Sequence, residues 1–205
     1  MPYQGPAQFN QDSREYGINS GNWDIWYGTQ PPEVNSTNIY NGFGEKSLEN
    51  AAWHWKKLSE DVFRTASSLG EWRTRLQGIW PGAAAGEVTE AVWWFMRWFD
   101  ELSEQLKEDS VQIFNIAKAF TEARNMSVRP ERVESNRELR AELAADNAFG
   151  LHDDKIAFLD LEYDRFWGND ATAMHIYTRR VEEALQALPR WKETFAQDEQ
   201  LALDS

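Results

Sequence analysis

His54, His152 and His175 are the chain's three imidazoles, and none has the neighbours that histidine chemistry needs. No glutamate stands three residues before any of them. The paired Glu-x-x-His arrangement that holds two metals inside a helical bundle is therefore missing, as is a His-Glu-x-x-His zinc helix. Asp160 and Asp164 stand one helical turn apart and could share a proton or hold a cation. Lys155 and Arg165 lie close by in an acidic chain, so a solvated, charge-paired helix face is the reading adopted. With no cysteine there is no disulfide, thiolate nucleophile or cysteine-held metal. Gly-rich phosphate loops and Gly-x-Ser-x-Gly elbows are absent too, and Gly42-Phe43-Gly44 reads as a linker. No catalytic, cofactor-binding or metal-ligating residue is assigned, and an enzyme is not expected.

The charge points the same way. Asp and Glu number 34 against 21 Lys and Arg, a formal charge of −13, which opposes binding to a phosphate backbone. No run of about eighteen apolar residues could span a membrane. The segment MPYQGPAQFNQDSREYGINS has neither a basic start nor an apolar core, so a Sec signal peptide is not expected. Against this polar background the chain carries 11 tryptophans, large anchors that suit long amphipathic surfaces.

Those anchors fall on helices. From Glu45 to Ile79 the residues Trp55, Leu58, Val62, Ala66, Leu69, Trp72, Leu76 and Ile79 recur in steps of three and four. Trp80-Pro81-Gly82 then forces a reversal, because proline cannot continue a helix and glycine frees the backbone. From Ala83 to about Asn125 a second helix carries Val88, Val92, Phe95, Phe99, Leu102, Leu106, Ile113, Ile116 and Phe120 on one heptad register. Asp109 alone breaks that register. A lone polar group there either sets register or marks the place where the stripe reaches water, and the second reading is adopted. The two helices would span roughly 50 and 65 Å as an antiparallel hairpin. Such a hairpin cannot bury its own apolar stripes, so part of the cover must come from elsewhere.

Flanking segments complete an all-α reading. Residues 1–30 form an irregular arm whose last part, Trp23 to Tyr27, could pack on the domain. Pro31-Pro32-Glu33 opens a short helix closed by Gly42, with proline in the first turn and Glu33 at the positive end of the dipole. Beyond Ser127-Val128-Arg129-Pro130 another helix runs to about Asp146 and closes at Gly150. A further stretch starts near Asp153 and is expected to break at Gly168-Asn169-Asp170, with Asp170 capping a last helix that ends at Pro189. Residues 31–191 make the domain, and 192–205 a short tail.

These residues together resemble the PPE family exported by mycobacterial type VII (ESX) secretion systems. The likeness runs through Pro31-Pro32-Glu33-Val34-Asn35-Ser36, the Trp80-x-Gly82 turn, Asn136-Arg137, Asp146-Asn147-Ala148-Phe149-Gly150, and Glu162-Tyr163 to Phe166-Trp167. It covers about Pro31 to Trp191. The thirty residues before the motif depart from the family pattern, as does the lack of a long Gly- and Asn-rich C-terminal region.

The resemblance implies an elongated helical bundle completed by the helical hairpin of a PE protein in a 1:1 heterodimer. The residues expected in that bundle are Trp55, Leu58, Val62, Leu69, Leu76, Val92, Phe95, Phe99, Leu102 and Leu106. It also implies an EspG-type cytosolic chaperone at the turn after the second long helix, through Met126, Val128, Pro130 and Val133. Trp80 and Gly82 would form one half of an export signal read by the secretion machinery. The other half, Tyr-x-x-x-Asp/Glu, follows none of this chain's tyrosines and would come from the partner. The implied location is the cytoplasm before export, then the cell surface or exterior. Two alternatives stand beside this reading: a self-associating WXG-type helical protein without a PE partner, and a metal carrier using the Asp160/Asp164 face.

Overall fold

The computed structural model describes residues 23–80 and 82–188. The expected arm up to residue 22, Pro81 and the expected tail lie outside the described residues. Six helices follow in order: α1 (Trp23–Thr29), α2 (Pro32–Tyr40), α3 (Glu45–Ile79), α4 (Ala83–Met126), α5 (Pro130–Ala145) and α6 (Asp153–Gln186). The described residues contain no strand, so the fold is all-α as expected. They form two compact units. One holds residues through Gly42 with Phe120–Arg179, and the other Phe43–Ala119 with the chain from Arg180.

In the second unit α3 and α4 run antiparallel, and their contact is made by small residues. Ala52, Ser59 and Ala66 are buried at steps of seven along α3, as are Ser103, Ser110 and Ala117 along α4. Ser110 Oγ donates to the Ala52 carbonyl at 2.8 Å, and Ser59 Oγ donates to the Ser103 carbonyl at 2.9 Å. Further on, Arg73 Nε donates to the Thr89 carbonyl at 3.0 Å. Each step of seven up α3 is thus matched by seven back along α4. That register sets Met96 against Ala66, and the methyl of Met96 sits where a side chain on Gly70 would begin. Small side chains let the axes approach toward the short end of the usual range of about 8–10 Å.

This corrects the sequence-based picture of the hairpin in one respect. The large residues of the three-four pattern flank the seam and do not form it. The seam is instead a small-residue heptad that hydropathy passes over.

The first unit is built on Tyr27, Ile39, Phe120, Ala123 and Met174, with Tyr40, Ala171 and Tyr177 packed around them. α2 packs on α5. α1 is a helix where an irregular arm was expected. It is held by Trp167 Nε1 donating to the Gly28 carbonyl at 2.9 Å and by a Tyr27–Thr178 hydroxyl pair at 2.9 Å. α6 also differs from expectation. It runs unbroken through Gly168, because Phe166, Asp170, Ala173 and Met174 are buried on one face across that point. That burial exceeds the roughly 1 kcal/mol a helical glycine costs. Asp170 therefore lies inside a helix and caps nothing.

Candidate functional site

The residues expected in the bundle lie on one side of the α3–α4 layer. On α3, Trp55, Val62, Leu69 and Leu76 stand three residues after a seam position, and Leu58 stands one before. On α4, Val92, Phe99 and Leu106 stand three after, and Phe95 and Leu102 one before. Antiparallel helices in matched register are related by an approximate two-fold axis perpendicular to the plane of the pair. Equal offsets therefore project to the same side of that plane. The stripes merge into one apolar face.

That face is uneven in exposure. Leu106 is 2% exposed, whereas Phe95 is 50% exposed and Leu58 is likewise open. Trp55, Val62, Leu69, Leu76, Val92, Phe99 and Leu102 are half-buried. Asp109 lies on the same side, one residue before seam position Ser110, and is 5% exposed. The side chain is thus closed off except at one carboxylate oxygen, so the stripe meets water there only at that atom. Burial raises its carboxyl pKa, and neighbouring Glu108 adds to the effect.

The reversal between α3 and α4 presents its aromatic outward. Trp80 is 46% exposed, with its backbone N–H donating to the Leu76 carbonyl at 2.9 Å. Gly82 follows at φ 129°, a backbone state that side chains resist.

In the first unit the Pro31-Pro32-Glu33 segment acts as a latch. Pro31 caps α2, and Pro32 is fully buried in its first turn. Glu33 accepts a 2.8 Å hydrogen bond from the Tyr163 hydroxyl. Burial and that bond hold the Tyr163 proton, raising its pKa to about 12. Asn35 Nδ2 donates to the carbonyls of Tyr27 and Gln30, tying α1 to α2. Sequence reasoning noted the motif but not this role.

The turn from α4 to α5 is bolted from two sides. The Val128 N–H donates to Asp170 Oδ1 at 2.7 Å, and the Val128 carbonyl accepts from Ser36 Oγ at 2.6 Å. Val133 is buried in α5 and Val128 half-buried, so neither offers the open surface expected of a docking tip. Val133 is withdrawn from that set because it is a core residue. Met126 stays exposed and Pro130 half-buried.

The turn from α5 to α6 shows the opposite character. Asn147 braces it, its Oδ1 accepting from the His152 N–H at 2.8 Å, and Gly150 takes φ 71°. On this fixed backbone Phe149 is 90% exposed and Leu151 is 78% exposed.

Asp170 carries a pH prediction. Burial pushes its pKa to about 6, opposed by the Val128 N–H, and its Oδ2 has no hydrogen-bond partner. A carboxyl whose folded pKa is raised contributes full stability below its ordinary value near 3.8. That contribution is lost as pH rises through about 6. Asp170→Asn keeps the acceptor and cannot ionise. Relative to the variant, the unaltered chain should lose about 1–2 kcal/mol between pH 4 and 7. Asp61 and Glu162, whose pKa values are lowered, act oppositely but cancel in the comparison. Denaturant titrations of both proteins across that range would show parallel curves if the assignment is wrong.

One member of the carboxylate pair, Asp160, is engaged by guanidinium groups of α5. Asp160 accepts from Arg137 at 3.2 Å and from Arg140 at 3.1 Å, and Arg137 also stacks on the Tyr163 ring at 4.2 Å. No cluster of three metal-ligating side chains occurs among the described residues. An open groove of about 460 Å³ runs beside Glu33, Pro130, Glu134, Arg137 and Glu138, and its one cation is the already engaged Arg137. No helix of the described residues is long and apolar enough to cross a membrane.

A sequence profile described as the PPE family matches residues 26–189. The chain is similar to PPE family protein PPE41 of Mycobacterium tuberculosis (strain ATCC 25618 / H37Rv), 38% identical over 162 residues, spanning 79% of this chain and 84% of that one. It is 34% identical over 163 residues to PPE family protein PPE57 of the same strain, spanning 80% of this chain and 93% of that one. With PPE family protein PPE44 the identity is 36% over 152 residues, which cover 74% of this chain and 40% of that protein.

Proposed function

This chain belongs to the PPE family, and from that premise we propose that it works by docking, as a non-enzymatic type VII secretion substrate paired with a PE protein. One observation carries the reading. Every residue expected in the bundle falls on one side of the α3–α4 layer, and most of them remain half-buried or open. The opposite side also carries exposed Trp53, Phe63, Trp93, Val111 and Phe114, so the expected stripe is one of two apolar surfaces, and two more helices with an apolar face would cover it. A PE-type hairpin fits that description, and each large side chain it covers adds roughly 1.5–3 kcal/mol before ordering costs.

The chaperone contact is better supported at the α5–α6 turn than at the α4–α5 turn. Phe149 and Leu151 stand out from a braced backbone, whereas Val128 and Val133 are engaged inside the unit. Trp80 and Gly82, at an exposed reversal, suit a signal read by export machinery.

Co-expression with PE proteins from the same genome, followed by size-exclusion chromatography with light scattering, tests the pairing. The expected result is a soluble 1:1 complex that Leu58→Glu with Phe95→Glu abolishes. A monomer indifferent to every PE protein would sink the reading, and a homodimer would favour the WXG-type alternative. The same complex reads the other sites: Phe149→Ser with Leu151→Ser should end chaperone co-purification, and Trp80→Ala should end export, each leaving the pair intact.

A further inference from the structure

The α3–α4 docking face carries a charge that a purely apolar face would not. Asp109 shares its side of α4 with Leu102, Leu106, Ile113 and Ile116. Its Oδ1 is sealed from solvent without a hydrogen-bond partner, while Oδ2 is not sealed. No ion pair reaches it among the described residues. A buried carboxylate left in this state is unfavourable, and leucine would suit the position better in the free chain. Its place on the stripe is also particular. Leu106 beside it is closed off, while Leu102 and then Phe95 open progressively toward the Trp80 turn.

We propose that Asp109 sets the selectivity and register of this face, meeting a lysine or arginine of the docked hairpin as that hairpin seals the stripe. The inference rests on the docking reading above. Charge complementarity selects the occupant. The chain bears −13, and a second copy would bring a face whose corresponding group is another carboxylate, leaving both unpaired. A hairpin with one cation among apolar residues satisfies Asp109 in a single alignment. Sliding by two turns in either direction sets that cation against Leu102 or Ile116. Hairpins lacking the cation leave the carboxylate desolvated and are rejected.

The test uses the PE-type hairpin that co-purifies with the unaltered chain. Asp109→Asn should weaken that complex at least about tenfold. Asp109→Leu should pair with hairpins that the unaltered chain refuses. Asp109→Lys should recover binding only with a hairpin whose facing lysine or arginine is changed to glutamate, a rescue that a merely structural role would not give. Thermal unfolding of free Asp109→Asn, expected at or above the unaltered chain, separates binding from folding. Affinities within about twofold and an unchanged choice of hairpin would overturn the inference while the docking reading stands. If the unaltered chain binds no hairpin, both fall together.

Discussion

Ala66→Leu should lower the unfolding free energy by about 2–3 kcal/mol, a fall of roughly 5–10 °C in Tm. Ala66 is buried in the α3–α4 seam, in register with Met96. Leucine there adds three heavy atoms where the helices are closest. The neighbouring layers cannot follow, because Ser59–Ser103 and Arg73–Thr89 hold the spacing by hydrogen bonds to backbone carbonyls. Pushing the helices apart lengthens those bonds, leaving buried polar groups poorly matched. Thr65→Leu places the same side chain one residue earlier on the open face and should stay within about 0.5 kcal/mol. Urea titrations of both variants decide the matter. Equal effects at the two positions would show that small residues at 52, 59 and 66 do not set the spacing.

The second large effect is expected at Asn35. Its amide is almost fully buried and donates to the carbonyls of Tyr27 at 3.1 Å and Gln30 at 3.2 Å. Asn35→Ala removes both bonds, leaving the Gln30 carbonyl without that donor while the Tyr27 carbonyl keeps only the Gln30 N–H at 3.2 Å, and should cost about 1–3 kcal/mol. Asn35→Asp should cost more at neutral pH, since it replaces a donor by a carboxylate facing two carbonyl oxygens. Acidification should return part of that loss, as a protonated carboxyl can donate once. Limited proteolysis reads the local consequence, because α1 is tied to α2 through these bonds. Protection of the α1–α2 junction unchanged in both variants would rule out Asn35 as the tie.

These cases show what kinds of information lay in the sequence. Helices α3 and α4, their reversal at Trp80 and the apolar residues of one face were readable because a period of three and four is local. The Pro31-Pro32-Glu33 motif and its ordered companions were readable as a family likeness. The seam was not found by hydropathy, since Ser59, Ser103 and Ser110 are polar in composition yet buried once their hydroxyls meet each other or a carbonyl. A search for small residues at steps of seven would have exposed it. Asp109 was noticed as a break, but its burial depends on what surrounds it, which no periodicity reports.

By itself the sequence determined that this chain is helical, where α3 and α4 begin and end, which side chains form an apolar stripe, and which family it resembles. These follow from local periodicity, from glycine and proline at the turns, and from motif order. Only the tertiary structure decided that α6 passes through Gly168, that Asp170 and Ser36 clamp the Val128 peptide, that Val133 faces inward while Phe149 and Leu151 face outward, and that both stripes share one side. Each of those is settled by contacts between residues far apart in the chain, where burial and hydrogen bonding outweigh the preferences of any single segment.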